Sequence, residues 1–286
     1  MMALMVALVA ATGLAYARQQ SAPASPSYAA LLVPVIVTDE QGRPVSGLDR
    51  SAFVVQEKQR RLAVTDVRAD GPSSVVLVLD TSASMARDTL MRAGAALHRI
   101  VAALPPDSEV MVVIATTGEA SGWERDRRVV IDAVDRLGEP QPKGATALHA
   151  ALVRSLRLVG TGRFLRRAVI VVSDGQDTAS RVPFDDVVDA VRGTSALVYG
   201  LVTTGETVAA EAAAHLKRLE SSGGRMFRLT RAADRWTAAA DAIAAEVQHH
   251  YLLSVAVPGP PDRRRHAITV TVTGGEQVTV RARAGY

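Results

Sequence analysis

The chain has 286 residues, 48% of them hydrophobic and 22% charged, a balance that suits a globular protein with a sizeable core and excludes disorder as its theme. Lys and Arg number 33 against 29 Asp and Glu, a net charge of +4, and aromatics at 4% are too sparse for a base-stacking platform, so nucleic acid is not an expected partner. Cysteine is absent, which excludes disulfides, thiolate metal sites, cysteine nucleophiles and a lipidated cysteine.

Ala3 to Ala17 is almost wholly apolar and ends in Ala15-Tyr16-Ala17, a small-x-small pattern ahead of Arg18. The run is shorter than the ~20 residues a spanning helix needs. Residues 1–17 are therefore expected to be a removable export signal, an uncleaved anchor being the alternative. The expected location is periplasmic or extracellular, with no transmembrane segment after cleavage. Residues 18–27, rich in Ala, Pro and Ser, follow as a flexible spacer.

From Leu31 the pattern is extended: Leu32 to Thr38 is a β-branched run stopped at Asp39-Glu40-Gln41-Gly42, and further extended stretches centre on Phe53-Val54-Val55 and Leu62-Ala63-Val64. After Gly71-Pro72 the rhythm changes. Val75 to Leu79 is a continuous apolar run ending at Asp80, as expected of a strand buried on both faces. A helical stretch with Leu90, Leu97, Ile100 and Leu104 on one face comes next. Runs at Val110 to Ala115, Ala168 to Val172, Leu197 to Val202 and Met226 to Leu229 repeat the theme with helical segments between, which predicts a mostly parallel, doubly wound sheet. Beyond His250 the extended pattern returns at Tyr251 to Val257, His266 to Thr273 and Gln277 to Arg283. The expected fold class is thus α/β, with the parallel sheet inserted in or flanked by a small β-sandwich. Its expected division is an N-terminal β segment at 28–71, an α/β domain at 72–250, and a C-terminal β segment at 251–286 that pairs with the first.

In a parallel α/β sheet, ligands bind beyond the carboxyl ends of strands, near the point where strand order reverses. Three polar clusters fall at such places: Asp80-Thr81-Ser82-Ala83-Ser84, Gly144-Ala145-Thr146, and Ser173-Asp174-Gly175-Gln176-Asp177. Asp80, Ser82 and Ser84 alternate, so a turning loop can aim all three side chains at one point, while Thr146 adds a hydroxyl and Asp174 a second carboxylate. All are hard oxygen donors suited to Mg²⁺, Mn²⁺ or Ca²⁺. A metal whose direct partners are largely neutral stays electrophilic and favours a carboxylate from outside. Helix capping would explain each cluster singly but not their co-occurrence at strand ends. Asp177 lies outside the donor set and reads as a cap or loop contact. His149 reads as an exposed helix residue, a place near the metal rim being the alternative, and the Arg125–Arg128 and Arg263–Arg265 groups as solvated loops.

This constellation resembles the metal-ion-dependent adhesion site of von Willebrand factor type A domains: the DxSxS motif at Asp80, Ser82 and Ser84, the separate threonine at Thr146, and the aspartate at Asp174. The wider chain resembles the secreted bacterial group often called VWFA-related proteins, in Val37 to Leu48, in Ser222-Gly223-Gly224-Arg225-Met226-Phe227 and in the closing Val280 to Tyr286. It departs at Ala83 and Ala145, where many relatives have glycine, at Ala52, where an aspartate is common, and at Glu57 to Arg60, which lacks the usual turn glycine. The resemblance implies a Mg²⁺ site that recognises an acidic side chain, Asp or Glu, of a protein partner. It also implies a last-helix displacement on ligand binding, as in animal relatives of the family. No P-loop, GxSxG or HExxH motif is present, so the chain is expected not to be an enzyme. A metal-assisted hydrolase using the same oxygens, and an envelope scaffold with a vestigial site, are the alternatives. The sequence does not determine the oligomeric state.

Overall fold

The computed structural model describes residues 28–136, 145–203, 210–230, 232–259, 265–274 and 277–286. The export signal and spacer expected at 1–27 lie outside them. Among the described residues, no helix is long and apolar enough to cross a membrane.

The apolar runs form a five-stranded parallel sheet in the order β5-β4-β6-β7-β8: β4 (Ser74–Leu79), β5 (Glu109–Ile114), β6 (Arg167–Ser173), β7 (Leu197–Thr203) and β8 (Met226–Leu229). Both faces are covered, which is why β4 is apolar at successive positions instead of alternating. Val75, Leu77 and Leu79 join Leu97 and Ile100 of α1 (Arg87–Ala103), Val130 and Val134 of α2 (Arg127–Asp135), and Trp236 and Ile243 of α6 (Ala233–His249). On the other face Val76 and Val78 join Leu148 and Leu152 of α3 (Leu148–Leu158), Val187 and Val188 of α4 (Phe184–Arg192), and Leu216 of α5 (Ala210–Lys217). β4 lies between β5 and β6, with α1 on one face and α4 on the other, so the strand order reverses at the carboxyl ends of β4 and β6.

The two β ends of the chain share a second, antiparallel sheet, in the order β10-β2-β3-β9-β1-β11. Its strands are β1 (Tyr28–Thr38), β2 (Phe53–Glu57), β3 (Arg60–Arg68), β9 (Tyr251–Pro258), β10 (Ile268–Val272) and β11 (Thr279–Ala282). β1 sits between β9 and β11, pairing Leu32 with Ser254 and Val37 with Val280. The small sandwich expected from the sequence takes the form of one sheet that curls until its edges meet. Ala267 bridges Gly285, and His266 and Tyr286 exchange both backbone hydrogen bonds at 3.0 Å. Closure removes the open edges that a short sheet would otherwise present. The interior holds Val33, Val35, Phe53, Val55, Leu62, Leu253 and Val255. Tyr251 is buried among them, its ring 5.1 Å from that of Phe53 and its hydroxyl donating to Val45 O at 2.8 Å.

The sheets are joined by continuous chain, since α6 ends at His249 and β9 begins at Tyr251. Arg166, just ahead of β6, closes this corner. Its guanidinium donates to Val247 O at 3.1 Å, to Gln248 O at 3.0 Å and to His250 O, which satisfies carbonyls left open at the end of α6. From the β1 side, Ile36 turns outward into the core shared by α1 and α6.

Candidate metal centre

The loop after β4 carries the first cluster. Asp80 is wholly buried, and its backbone N–H still bonds Val172 O at 3.0 Å, extending the ladder to β6. Its Oδ1 accepts from Ser82 N at 3.0 Å and from Thr146 Oγ1 at 3.3 Å, and its Oδ2 accepts from Ser173 Oγ at 2.7 Å. Ser82 Oγ lies 3.0 Å from Ser84 Oγ. Thr81 Oγ1 stands 2.7 Å from Thr116 Oγ1, tying this loop to the segment after β5. Ser82 and Thr146 are buried and Ser84 is exposed, so the donors run from the strand end outward to the surface.

Asp174 follows β6 directly. It is buried, and its oxygens accept from Gln176 N at 3.0 Å and Gln176 Nε2 at 3.2 Å. Its link to Asp80 is through charge. Burial pushes the Asp80 carboxyl above its usual range and the neighbouring Asp174 adds to that, while hydrogen bonds from Ser173 and Ser82 oppose it. The turn between Asp174 and Gln176 needs glycine: Gly175 has φ +85°, and a Cβ there would meet Ala212 O at 3.2 Å.

Thr146 precedes α3 and is held by the loop just past the third cluster. Its N–H donates to Thr178 Oγ1 at 2.9 Å, and its carbonyl accepts from Thr178 N and Ala179 N, each at 2.9 Å. The capping alternative is not realised at either helix. Ala86 and Ala147 occupy the N-cap positions of α1 and α3, and neither has a side-chain cap.

Asp80, Ser82, Ser84 and Thr146 therefore form one chain of hydrogen bonds, and Asp174 stands beside it across the reversal of strand order. Sequence reasoning placed Ser173 in the third cluster without giving it a role and missed Thr178. Ser173 belongs to the cluster because β4 and β6 pair with Leu79 opposite Val172, which sets Asp80 beside Ser173. That signal lies in the register and not in either segment alone. His149 is a correction: it is not an exposed helix residue, since its side chain is only 16% accessible and its Nδ1 lies 2.9 Å from Asp177 Oδ2. The Arg125–Arg128 stretch is likewise more than a solvated loop, because Arg127 Nη1 donates to Ala102 O at 2.7 Å near the end of α1.

The donor set fits a hard divalent cation. It consists of oxygens alone, and among the described residues no cluster of three or more His, Asp or Glu offers a competing, more basic site. Neighbouring ligands around Mg²⁺ stand about 2.9 Å apart when each bond is about 2.0–2.1 Å. The 3.0 Å between Ser82 Oγ and Ser84 Oγ and the 3.3 Å between Asp80 Oδ1 and Thr146 Oγ1 are close to that spacing.

A sequence model of the von Willebrand factor type A domain matches residues 75–176, from β4 to just past Asp174. Among solved structures, the chain is similar to the conserved hypothetical protein BatB from Bacteroides thetaiotaomicron, with 18% identity, a TM-score of 0.47, and coverage of 62% of this chain and 98% of that one. It is similar to a von Willebrand factor type A protein from Catenulispora acidiphila, with 15% identity, a TM-score of 0.47, and coverage of 90% and 73%. The PilB minor pilin from Streptococcus sanguinis is similar at 11% identity and a TM-score of 0.48, over 63% of this chain and 62% of that one. No curated protein matches the chain. The match begins on β4 and ends just past β6, the central strand of the doubly wound sheet β5-β4-β6-β7-β8, so the segment at 75–176 is that of a von Willebrand factor type A domain.

Proposed function

We propose that this protein is an exported binding module that recognises an acidic side chain of a partner protein through a divalent cation, Mg²⁺ in the first instance, with Mn²⁺ or Ca²⁺ as substitutes. Asp80, Ser82, Ser84, Thr146 and Asp174 would hold the ion. What supports this reading is the Asp80 carboxylate, which is wholly buried, lies past the end of the strand beside the one that leads to the buried Asp174, and accepts from Thr146, Ser173 and the Ser82 backbone. A cation there would offset the cost of two buried acids, and three hydroxyl ligands would leave it electrophilic enough to take a carboxylate from outside. The reading is binding and not catalysis. His149, a base close to the cluster, turns its Nδ1 to Asp177 and Val182 O, at 2.9 Å each. Export rests on the Ala3 to Ala17 pattern.

The deciding experiment is a pulldown from the cell's own envelope fraction with Mg²⁺ and with chelator. A partner retained only with Mg²⁺, and lost with Asp80→Ala, supports the proposal. Equal retention in chelator overturns it, and metal-dependent turnover of ester or phosphate substrates would replace it with the hydrolase reading.

A further inference from the structure

Thr146 is the one donor that comes from the segment ahead of α3, and a second loop holds it there. Residues 145–147 belong to neither a strand nor a helix, and the Thr146 backbone is bonded to the loop after β6 at Thr178 and Ala179. What shapes that loop is Asp177. Its side chain is 7% exposed and both of its oxygens are used. Oδ1 accepts from Ser180 N at 2.9 Å and Ala179 N at 3.4 Å, which folds the loop back on itself and turns the Thr178 and Ala179 amides toward Thr146 O. Oδ2 reaches across to α3, accepting from His149 N at 3.3 Å and lying 2.9 Å from His149 Nδ1. Both neighbours of that nitrogen, Asp177 Oδ2 and Val182 O, are acceptors, so Nδ1 carries the proton. Since Ala147 lends α3 no side-chain cap, the carboxylate of Asp177 serves its N-terminus from another loop, where a negative charge is favoured.

The geometry points to Asp177 as a positioning residue: by binding its own loop with one oxygen and α3 with the other, it fixes Thr146 relative to Asp80 and Asp174 and so preorganises the cation site. The inference rests on the metal reading proposed above and adds to it a residue that touches no ion. Charge-assisted bonds of this kind are roughly twice as strong as neutral ones. Removing such an outer partner typically weakens metal binding by about 10–100-fold. The same side chain acting only as a helix cap would affect folding and leave affinity alone, and this is the distinction to test.

Mn²⁺ binding to the full chain would be measured by calorimetry and by electron paramagnetic resonance, with melting temperature in chelator recorded for each variant. Asp177→Ala is expected to weaken Mn²⁺ binding by about 10–100-fold. Asp177→Asn, which keeps one accepting oxygen, is expected to recover part of the loss. Val187→Ala, a core truncation on α4 away from the loops, is expected to lower the melting temperature yet hold Mn²⁺ affinity within about twofold. Affinity at the wild-type level in Asp177→Ala overturns the inference, as does an equal loss in Val187→Ala. If the wild type itself binds no Mn²⁺, the metal reading falls, and amide exchange in chelator then judges the clamp. Faster exchange at Thr146, Thr178 and Ala179 in Asp177→Ala sustains it, and unchanged exchange there overturns it.

Discussion

Glu246 on α6 and Arg281 on β11 form an ion pair across the junction of the two sheets, and the same carboxylate oxygen also takes Arg225, just ahead of β8. Glu246 is 3% exposed. Arg281 goes on to donate to Gly223 O at 3.1 Å and Gly224 O at 3.2 Å, so one guanidinium holds α6 and the turn before β8 to the curled sheet. The approach is close enough to require glycine: a Cβ on Gly224 would fall 2.0 Å from Val198 O, and Gly223, at φ +96°, would set one 3.0 Å from Ala282. Tyr199 is buried beside the pair, and its hydroxyl is pushed well above its usual pKa, first by burial and then by the charge of Glu246.

Glu246→Ala should therefore destabilise the whole chain. Removing one partner of a buried pair costs about 3–5 kcal/mol. The partial exposure of Arg225 and Arg281 lets water screen what is left, which places the expected loss near the lower end, about 3 kcal/mol. Urea unfolding at neutral pH reads it directly. A loss below about 1 kcal/mol, the usual worth of an exposed pair, would mean that the junction does not depend on this carboxylate.

His250 makes stability depend on pH. Burial first, and the facing Arg166 second, lower its pKa from 6.5 to about 3, so the folded chain holds the ring neutral. The unfolded chain takes up a proton below about 6.5. Stability from this group is therefore whole above that pH and is lost as pH falls toward 3. The loss at pH 5 is on the order of 2 kcal/mol. Urea midpoints at pH 7.5 and pH 5 should differ accordingly, and His250→Leu should flatten the slope. An unchanged slope would assign the pH dependence to other groups.

Much of this was legible in the sequence, and the legible part has a physical pattern. Val75 to Leu79 and the runs on β5, β6 and β7 are apolar at consecutive positions because helices cover both faces, and that signal needs no partner to be read; the edge strand β8, with Arg228 exposed, carries it more weakly. Asp80, Ser82 and Ser84 alternate within one short segment and are equally local. What was not legible depends on register or on long side chains. Ser173 joins Asp80 only through the β4–β6 pairing. Arg166, Arg225 and Arg281 look like ordinary surface arginines until the fold turns them to carbonyls and to Glu246. The curled sheet hid for the same reason, since its closure rests on Ala267 meeting Gly285 across most of the C-terminal segment.

Asp80→Ala and Asp174→Ala are each expected to abolish stabilisation by Mg²⁺ while leaving the parallel sheet folded, because both residues stand past the ends of their strands. An ion that binds only the folded chain stabilises by about 2.7 kcal/mol at a hundredfold excess over Kd. Thermal unfolding with and without Mg²⁺ reads this as a shift in Tm. Variants that keep the wild-type shift would place the ion elsewhere.

Truncation after His250 should expose the N-terminal β segment. β1 is flanked by β9 and β11, and β3 also pairs with β9, so removing residues 251–286 takes both neighbours from β1 and one from β3. The apolar interior of Val33, Val35, Phe53 and Leu62 would lose Tyr251, Leu253 and Val255. Limited proteolysis should then cut within 28–68 and the fragment should aggregate. A protected, dispersed fragment would mean that the first three strands stand alone.

The last expectation is that cation binding is felt in the curled sheet. Ser82 and Ser84 lead through Met85 into α1, which packs along α6, with the Arg99 guanidinium on the Asp241 carboxylate at 3.0 Å between Nη2 and Oδ2. The packing face of α6 is Trp236, Ala240, Ile243 and Val247, with Ala239 and Ala244 filling it out. From the sequence, so much alanine suggests a helix that slides cheaply. The structure pins its C-terminal end instead, through Glu246 to Arg281 and through Arg166 to the last carbonyls. A movement begun at the metal loop would therefore tilt α6 about that end and strain β9, which follows after a single residue, His250. Couplings between sites are typically about 1–3 kcal/mol, enough to alter local opening without unfolding. Amide exchange would be compared with and without Mg²⁺ and an acidic peptide. Changed exchange in 233–257, together with protection around Asp80 and Asp174, is the expected outcome, and Arg281→Ala should weaken the change in β9 while sparing the metal loops. Protection at the loops with unchanged exchange throughout 233–257 would mean that the site binds without communicating with the second sheet.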